Sequence, residues 1–437
     1  MESIPVPTSG QLTEQDQTIR KVAWRIIPLV FVCYLVNYLD RSAISYAALT
    51  MNQDLGVGPE MFGWIVGAFF VGYCLCEIPS NLAMQRFGAR VWIARIMITW
   101  GIMTVVCASV RTPTQLLIAR FLLGASEGGF SPGIFLYLST WFPSRWRAKA
   151  MATFLLGIPV SAVIGGPLSS AILSLHGIAG LTQWQWLFVL EGIPAIILGV
   201  LCLFVLIDSP AQATWLSAGE RGWLESELNA ERAQIEKNHH MTLRQSFTNG
   251  RVLLLTAIYL AGLIGLNGLF YWVPQIVKSL GASNVEVGLI SALPHAIGVI
   301  VMIVWARWSD QTGKRIFYVA AGALIGAVCM AAAGFFHAPV YVMIMLTLGL
   351  AGGYEFLAVF WALPPTFLTG RAAAGGFGLI LTVGNLSGFF GPYLVGWIKQ
   401  ATQSFSGSLL ALSAFLAIAG VLTVMFGRST PVADQAS

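Results

Sequence analysis

Four ionisable residues interrupt sequence that is otherwise apolar. Asp40 and Arg41 are adjacent in "CYLVNYLDRSAISY", and Arg120 and Glu127 lie seven positions apart farther along the chain. A charged side chain at the centre of a membrane span costs about 2.5–3.5 kcal/mol on insertion scales, so such residues usually serve a function. Carboxylates can carry protons, and an arginine can bind a carboxylate through two parallel hydrogen bonds. These residue types predict proton and anion chemistry inside a membrane.

Helix geometry predicts how these four side chains are turned. Arg120 and Glu127 are two turns apart, so they lie on one helix face, about 10 Å apart along the axis. The side chains of Asp40 and Arg41 point about 100° apart around the helix axis, so they must contact different neighbours. We expect Asp40 and Glu127 to carry protons and Arg41 to bind a substrate carboxylate. Arg120 is expected to pair with an acid or to take part in gating.

An exchange of ionic partners would couple the proton to the anion. A carboxylate in a low-dielectric cavity favours its charged form beside an arginine and its protonated form without one. If an anionic substrate takes the arginine, the carboxylate loses its partner and can bind a proton. The alternative for the four residues is a structural network of salt bridges inside the membrane.

Composition places these charges in a polytopic membrane protein. The 437-residue chain is 57% hydrophobic and only 10% charged, whereas soluble domains carry about 25% charged residues. Apolar runs of about 20 residues indicate helices rather than barrel strands. The sequence predicts an all-α fold with twelve membrane spans, at 24–49, 60–83, 91–110, 114–139, 148–175, 185–207, 252–278, 285–308, 315–336, 339–366, 372–398 and 408–427.

The basic residues predict the orientation of these spans. Nineteen Lys and Arg residues fall on one side of the alternating loops and only three on the other, so both termini and the central loop should be cytoplasmic. The predicted divisions are an N-terminal tail (1–22), a six-helix bundle (23–207), a cytoplasmic linker with an amphipathic helix (208–251), a second six-helix bundle (252–427) and a C-terminal tail (428–437).

Similar segments recur at one constant offset. The loops "NLAMQRFGARVWIA" (81–94) and "ARWSDQTGKRIFYV" (306–319) place Gly88 and Gly313 225 positions apart, and Pro167 and Pro392 share this offset. The pattern predicts two parallel six-helix halves, with a substrate site between them near the membrane midplane. The four charged residues have no counterparts in the second copy. We therefore expect proton chemistry in the first half and selectivity largely in the second.

Both loops resemble the signature G-x-x-x-D-R-x-G-R/K-R of the major facilitator superfamily. Gln85 replaces its Asp in the first copy, and Ala306 replaces its Gly in the second. Basic residues in a tight turn can pair with carboxylates and helix C-termini, so we expect a conformational latch. Cytoplasmic anchoring alone is the alternative. The expected latch residues are Arg86, Gly88, Arg90, Asp310, Gly313, Lys314 and Arg315.

Five further motifs resemble, in order, the anion:cation symporter family, whose bacterial members carry galactonate, tartrate, phthalate or 4-hydroxyphenylacetate. They are "NYLDRSA", "GYCLCEIPSNLAMQRFGAR", "RFLLGASEGGFSPG", "YLSTWFPSRWRAKAMA" and "GNLSGFFGPYLVGW". The resemblance spans nearly the whole chain and implies the roles expected above for Asp40, Arg41 and Glu127. It also implies substrate contacts by Tyr38, Tyr73, Trp361 and Asn385, with ordinary packing as the alternative for each aromatic residue.

One departure from this family bears on the substrate. Ile158 occupies the position where galactonate-type carriers have a glutamine, so the cavity is less polar. This favours an aromatic acid or a small hydroxy acid over a sugar acid. The sequence leaves the roles of two further ionisable residues open. Glu355 could titrate or contribute to gating, and His295 is expected to be a satisfied polar side chain within its helix.

These observations predict a secondary active transporter that imports an organic anion by proton symport through alternating access. No nucleotide-binding P-loop and no H-E-x-x-H or G-x-S-x-G motif is present, so an enzyme is not expected. The alternatives are a drug or metabolite:proton antiporter and a proton-independent anion exchanger. We expect no cofactor other than the coupling proton, no nucleic-acid partner, a monomer, and a location in the bacterial inner membrane.

Overall fold

The computed structural model describes residues 13–175, 180–237, 248–364 and 370–429. Residues 1–12, 238–247 and 430–437, which belong to the predicted tails and linker, lie outside these ranges. The described residues form sixteen α-helices. The first eight are α1 (Glu14–Leu55), α2 (Pro59–Phe87), α3 (Ala89–Cys107), α4 (Pro113–Glu127), α5 (Phe130–Ser139), α6 (Ser144–Leu155), α7 (Gly157–Leu173) and α8 (Gln183–Val205).

The remaining helices begin with α9, which lies within the predicted linker. They are α9 (Ala218–Lys237), α10 (Gly250–Ser279), α11 (Asn284–Thr312), α12 (Arg315–Phe335), α13 (Pro339–Phe360), α14 (Gly370–Asn385), α15 (Ser387–Thr402) and α16 (Ser406–Ser429).

Eleven helical stretches among the described residues are long and apolar enough to cross a membrane. The stretches Ser144–Leu173 and Gly375–Thr402 combine consecutive helices. The predicted span 114–139 is instead divided between α4 and α5, each shorter than a span. Gly129 has a φ of 91°, a left-handed conformation that glycine adopts without steric cost. This break makes Glu127 the last residue of α4.

The helices pack in two groups. In the first, α3 packs on α8, α2 on α4, and α1 on α7 and α8. In the second, α12 packs on α13 and α16, α10 on α14, α15 and α16, and α11 on α13. Contacts of α2 with α15, of α7 with α11 and of α1 with α10 join the two groups. Large apolar side chains such as Phe204 and Val328 are exposed on the outer surface, at 81% and 70%, as expected of helices that face lipid.

The groups meet closely at the end where α2 and α11 begin. Ser170 Oγ donates a hydrogen bond to the carbonyl of Asn284, the first residue of α11, at 3.0 Å. One turn away, Gly166 and Gly288 bring the backbones of α7 and α11 into direct approach. A side chain on either glycine would collide with the opposite carbonyl. Small residues thus permit this end of the structure to close.

The linker helix α9 docks on the first group. Leu224 and Leu228 are buried. Glu231 accepts from Arg147 Nη2 at 2.7 Å, and from the backbone N–H of Ser144 at 2.9 Å, which starts α6. At the surface, hydrogen bonds from the Ser217 backbone and from Lys21 lower the pKa of Glu220. These contacts tie the linker to the cytoplasmic ends predicted for the first bundle.

The close approach of α7 and α11 leads to a first prediction. Gly288→Val should prevent closure at this end, because its Cβ would meet the Ser170 hydroxyl and the Gly166 carbonyl. The measurement is maleimide labelling of a single Ser45→Cys reporter in a background without the six native cysteines. Ser45 is 2% exposed, so labelling should be slow in the parent and fast in Gly288→Val.

The matched control is Gly378→Val, because a Cβ at Gly378 has no atom within 4 Å. It should label as slowly as the parent. Equal labelling of Gly288→Val and this control, in protein that elutes as a single species, would show that the glycine contact does not govern closure.

Candidate substrate and proton site

A buried ion pair joins α1 to α4. Arg41 Nε donates to Glu127 Oε1 at 2.6 Å, and Arg41 Nη2 contacts the same oxygen. The side chain of Glu127 is fully buried and that of Arg41 is 11% exposed. Glu127 Oε2 has no hydrogen-bond partner among the described residues. Two charges in a low-dielectric interior offset their desolvation only when they are paired this closely.

Aromatic rings surround the Arg41 guanidinium. Its central carbon lies 4.9 Å from the ring centroid of Tyr73, 5.3 Å from that of Tyr38 and 5.4 Å from that of Phe69. Cations are attracted to aromatic faces at such distances. The structure therefore brings Tyr38 and Tyr73, both expected at the substrate site, together with the expected anion-binding arginine. Phe69 was not singled out in the sequence.

Asp40 is turned to a different neighbour, as the divergence of adjacent helix residues requires. It is 1% exposed, and its Oδ1 accepts a 2.7 Å hydrogen bond from Thr104 Oγ1 on α3. Its Oδ2 has no hydrogen-bond partner within the described ranges. Thr104 is not among the residues expected from the sequence, where its one signal is a threonine inside the apolar run "GIMTVVC".

Arg120 lies against the same Phe69 ring as Arg41 but takes no part in the Arg41–Glu127 ion pair. It is 1% exposed, and none of its three guanidinium nitrogens has a hydrogen-bond partner in the described part of the chain. Its central carbon lies 4.9 Å from the Phe69 ring centroid. Although Arg120 and Glu127 share a helix, Glu127 pairs with Arg41. Of these two arginines, Arg41 therefore has a carboxylate partner, and Arg120 has no hydrogen-bond partner among the described residues.

Asn385 reaches the first group from the second. It is the last residue of α14, and its Nδ2 donates to Glu77 Oε2 on α2 at 3.4 Å. Trp361 follows α13, and its described ring contacts are with second-group residues, at 5.0 Å from Tyr259 and 5.7 Å from Phe377. Of these two expected substrate contacts, Asn385 touches the first group directly and Trp361 packs within its own group.

Glu355 is placed away from the four charged residues. It lies on α13 and is 5% exposed, and its Cβ faces Gly322 of α12, a helix that packs on α13 and α16 of the second group. It forms no ion pair among the described residues. The structure therefore does not bring Glu355 to Arg120.

The two signature loops make different contacts. In the first, Gly88 has a φ of 88°, and the Arg90 backbone N–H donates to Asp208 Oδ1 at 2.8 Å. Asp208 thus places a carboxylate at the turn formed by Gly88 and Arg90. In the second, Gly313 ends α11 with a φ of 68°, and Arg315 Nη1 donates to the Ala362 carbonyl at 3.3 Å.

The other expected latch residues make fewer contacts. The Arg86 guanidinium lies 5.6 Å from the ring centroid of Phe87. Within the ranges that the structure describes, neither Asp310 nor Lys314 forms an ion pair.

Comparisons with known proteins agree with this fold. Residues 30–392 match the sequence model of the Major Facilitator Superfamily. A protein of Agrobacterium vitis named "Putative tartrate transporter" is 45% identical over 421 residues, which cover 96% of this chain and 94% of that protein. A "Quinolone resistance transporter" of Acinetobacter baumannii is 37% identical, with 94% of each chain covered.

A solved structure shows the same fold at low sequence identity. It is a bacterial homologue of the human lysosomal transporter Spinster in an inward-facing and occupied conformation. The TM-score is 0.78 at 17% identity, and the match covers 94% of this chain and 97% of that one.

The Arg41–Glu127 pair generates a stability prediction. Removal of one partner leaves an uncompensated buried charge, so Arg41→Met or Glu127→Leu alone should cost about 3–5 kcal/mol. The double variant should recover most of this loss, because it removes both charges. The measurement is thermal unfolding of the purified protein in detergent, analysed as a double-mutant cycle.

The surface pair Lys21–Glu220 is the control, because these side chains are 45% and 26% exposed. Solvent screens such a pair, so Glu220→Gln should change the unfolding temperature little. Additive losses in the buried cycle would show that Arg41 and Glu127 do not depend on each other.

Proposed function

The chain belongs to the Major Facilitator Superfamily, and from this premise we propose that it imports a small organic anion together with a proton by alternating access. The single observation that carries the proposal is the buried pair of Arg41 and Glu127. Arg41 has the charge and the donor geometry to bind a carboxylate, and here a protein carboxylate occupies it. A substrate anion would compete for this position.

The exchange of partners supplies the coupling. When a substrate carboxylate takes Arg41, Glu127 becomes a buried carboxylate without a cation, and proton binding removes the cost of its charge. Asp40 is the second proton carrier in this scheme. One of its oxygens accepts from Thr104 and the other has no partner among the described residues. Arg120 supplies positive charge beside Asp40 and is a candidate to stabilise its ionised form.

Asn385 would provide a second substrate contact from the other group. Its amide donates to Glu77, so both expected anion-binding donors, Arg41 and Asn385, are engaged by carboxylates of the first group. A substrate that displaces both carboxylates would contact the two groups at once. Occupancy of the site would then be linked to the relative position of the helical groups.

The topology proposed for this function has twelve spans. We infer that α4 and α5 together form the span between α3 and α6, in addition to the eleven long stretches. The two bundles would be 23–207 and 252–427, with both termini and the linker 208–251 in the cytoplasm. The closed end at Ser170 and Asn284 would then face outward, which makes this an inward-facing conformation. The proposed location is the bacterial inner membrane, as a monomer.

The proposed substrate class is a small hydroxy acid. Two observations support it: the apolar residue Ile158 on α7 and the similarity to a protein named for tartrate. Tartrate is therefore the first anion to test. The proposed latch at Gly88, Arg90 and Arg315 would hold helix ends in one conformation and release them during the cycle.

Uptake of radiolabelled tartrate into proteoliposomes tests the proposal. An inwardly directed proton gradient should accelerate uptake, and Arg41→Ala should abolish it. Glu127→Gln should lose gradient-driven uptake but retain counterflow, because a permanently neutral side chain can release Arg41 but cannot carry a proton. The surface variant Glu220→Gln is the matched control and should behave as the parent.

Three results would contradict this scheme. Tartrate uptake at the same rate with and without the proton gradient would favour anion exchange. Full uptake by Arg41→Ala would remove the proposed anion site. Loss of both uptake and counterflow in Glu127→Gln would assign Glu127 a structural role.

A drug:proton antiporter is the second candidate. The relative named for quinolone resistance favours it, as do the aromatic rings of Tyr38, Phe69 and Tyr73 around the site. The same proteoliposomes, loaded with a fluorescent quinolone, distinguish the two functions. Antiport predicts that an inward proton gradient expels the quinolone and that tartrate does not compete.

A further inference from the structure

A second polar cluster lies between the two helical groups, and the functions assigned above do not use it. A small cavity is lined by Ser42, Ser45 and Tyr46 of α1 and by Phe270 and His295 of the second group. Its volume of about 10 Å³ is room for a single water molecule. Ser45 lies four residues after Arg41, so it is on the same face of α1, about one helical turn from the proposed anion anchor.

His295 is the polar residue that the second group contributes to the cavity lining, and Tyr354 supports it from behind. The His295 Nδ1 and the Tyr354 hydroxyl lie 2.8 Å apart and share a hydrogen bond. His295 is 4% exposed, and its ring centroid is 5.2 Å from that of Phe270. Because Nδ1 is engaged by Tyr354, Nε2 is the ring nitrogen left for another partner. The tyrosine thereby orients the imidazole.

The opposite wall offers hydroxyl groups. Ser45 is 2% exposed, and its Oγ has no hydrogen-bond partner among the described residues. Buried polar groups nearly always have a partner, so an unpartnered hydroxyl facing a histidine across a group boundary indicates a polar ligand. The residues lining this cavity are neutral hydroxyls, an imidazole and apolar side chains. Such a lining suits a neutral hydroxyl group better than a second carboxylate.

We propose that His295, oriented by Tyr354, and Ser45 bind a hydroxyl group of the substrate whose carboxylate is held by Arg41. The proposal rests on the function proposed above and makes His295 a residue that determines specificity. In this conformation the cavity is closed, because α7 and α11 approach at Gly166 and Gly288. Separation of these helices would widen it, so a substrate that enters from this end would meet His295 before release to the other side.

Competition by related acids provides the test. Uptake of radiolabelled tartrate is measured in right-side-out vesicles against unlabelled tartrate, with two hydroxyls, and succinate, with none. The parent should prefer tartrate. Loss of one hydrogen bond to the hydroxyl should reduce the tartrate:succinate preference about three- to tenfold in His295→Leu and Tyr354→Phe. His295→Gln keeps a donor and should restore part of the preference.

Tyr341→Phe is the matched control, because it also removes a phenol hydroxyl but at a site 57% exposed. It should keep the parental preference. A parent that transports tartrate, with preferences unchanged in His295→Leu and Tyr354→Phe, would overturn the specificity proposal and leave the function intact. A parent that transports neither acid would overturn the proposed function itself. A uniform fall for both acids in the His295 variants would assign His295 to packing and also overturn the specificity proposal.

Discussion

The buried contact between Arg41 and Glu127 sets the conditions that the surrounding structure must meet. Two charges removed from water are tolerated only with close pairing and with neighbours that favour them. The Gly128–Gly129 break ends α4 at Glu127, which leaves the carboxylate free to reach α1. The rings of Tyr38, Tyr73 and Phe69 line the arginine. Close pairing and the surrounding rings together offset the cost of burying these two charges.

The two helical groups contribute different chemistry. The first contains the charged residues Asp40, Arg41, Arg120 and Glu127. The second presents neutral polar groups to the interface, of which Asn385 and His295 are the clearest. This division follows the absence of the charged residues from the second copy of the repeat. Under the function proposed above, a substrate that contacts both groups would link binding to their relative position.

Several features could be predicted from local sequence because they depend on local physics. Apolar runs of membrane length predicted the helices, and the 100° step of the α-helix predicted that Asp40 and Arg41 face different neighbours. The family resemblance implied that Tyr38 and Tyr73 contact the substrate, and the structure places their rings beside Arg41. The ion pairing was less predictable. Shared helix faces suggested Arg120 as a partner for an acid, whereas Glu127 pairs with Arg41 from another helix.

The sequence by itself determined the membrane class, the helical repeat, the family and the identities of the charged residues, because composition, periodicity and motifs are properties of neighbouring positions. Only the tertiary structure decided which charges meet, since pairing depends on the packing of helices far apart in the chain. It joined Glu77 to Asn385 across 308 positions and His295 to Tyr354 across 59. It also placed Glu355 against α12, because Gly322 has no side chain and leaves room there for the Glu355 Cβ. No local pattern specifies these contacts, which arise from the packing of whole helices.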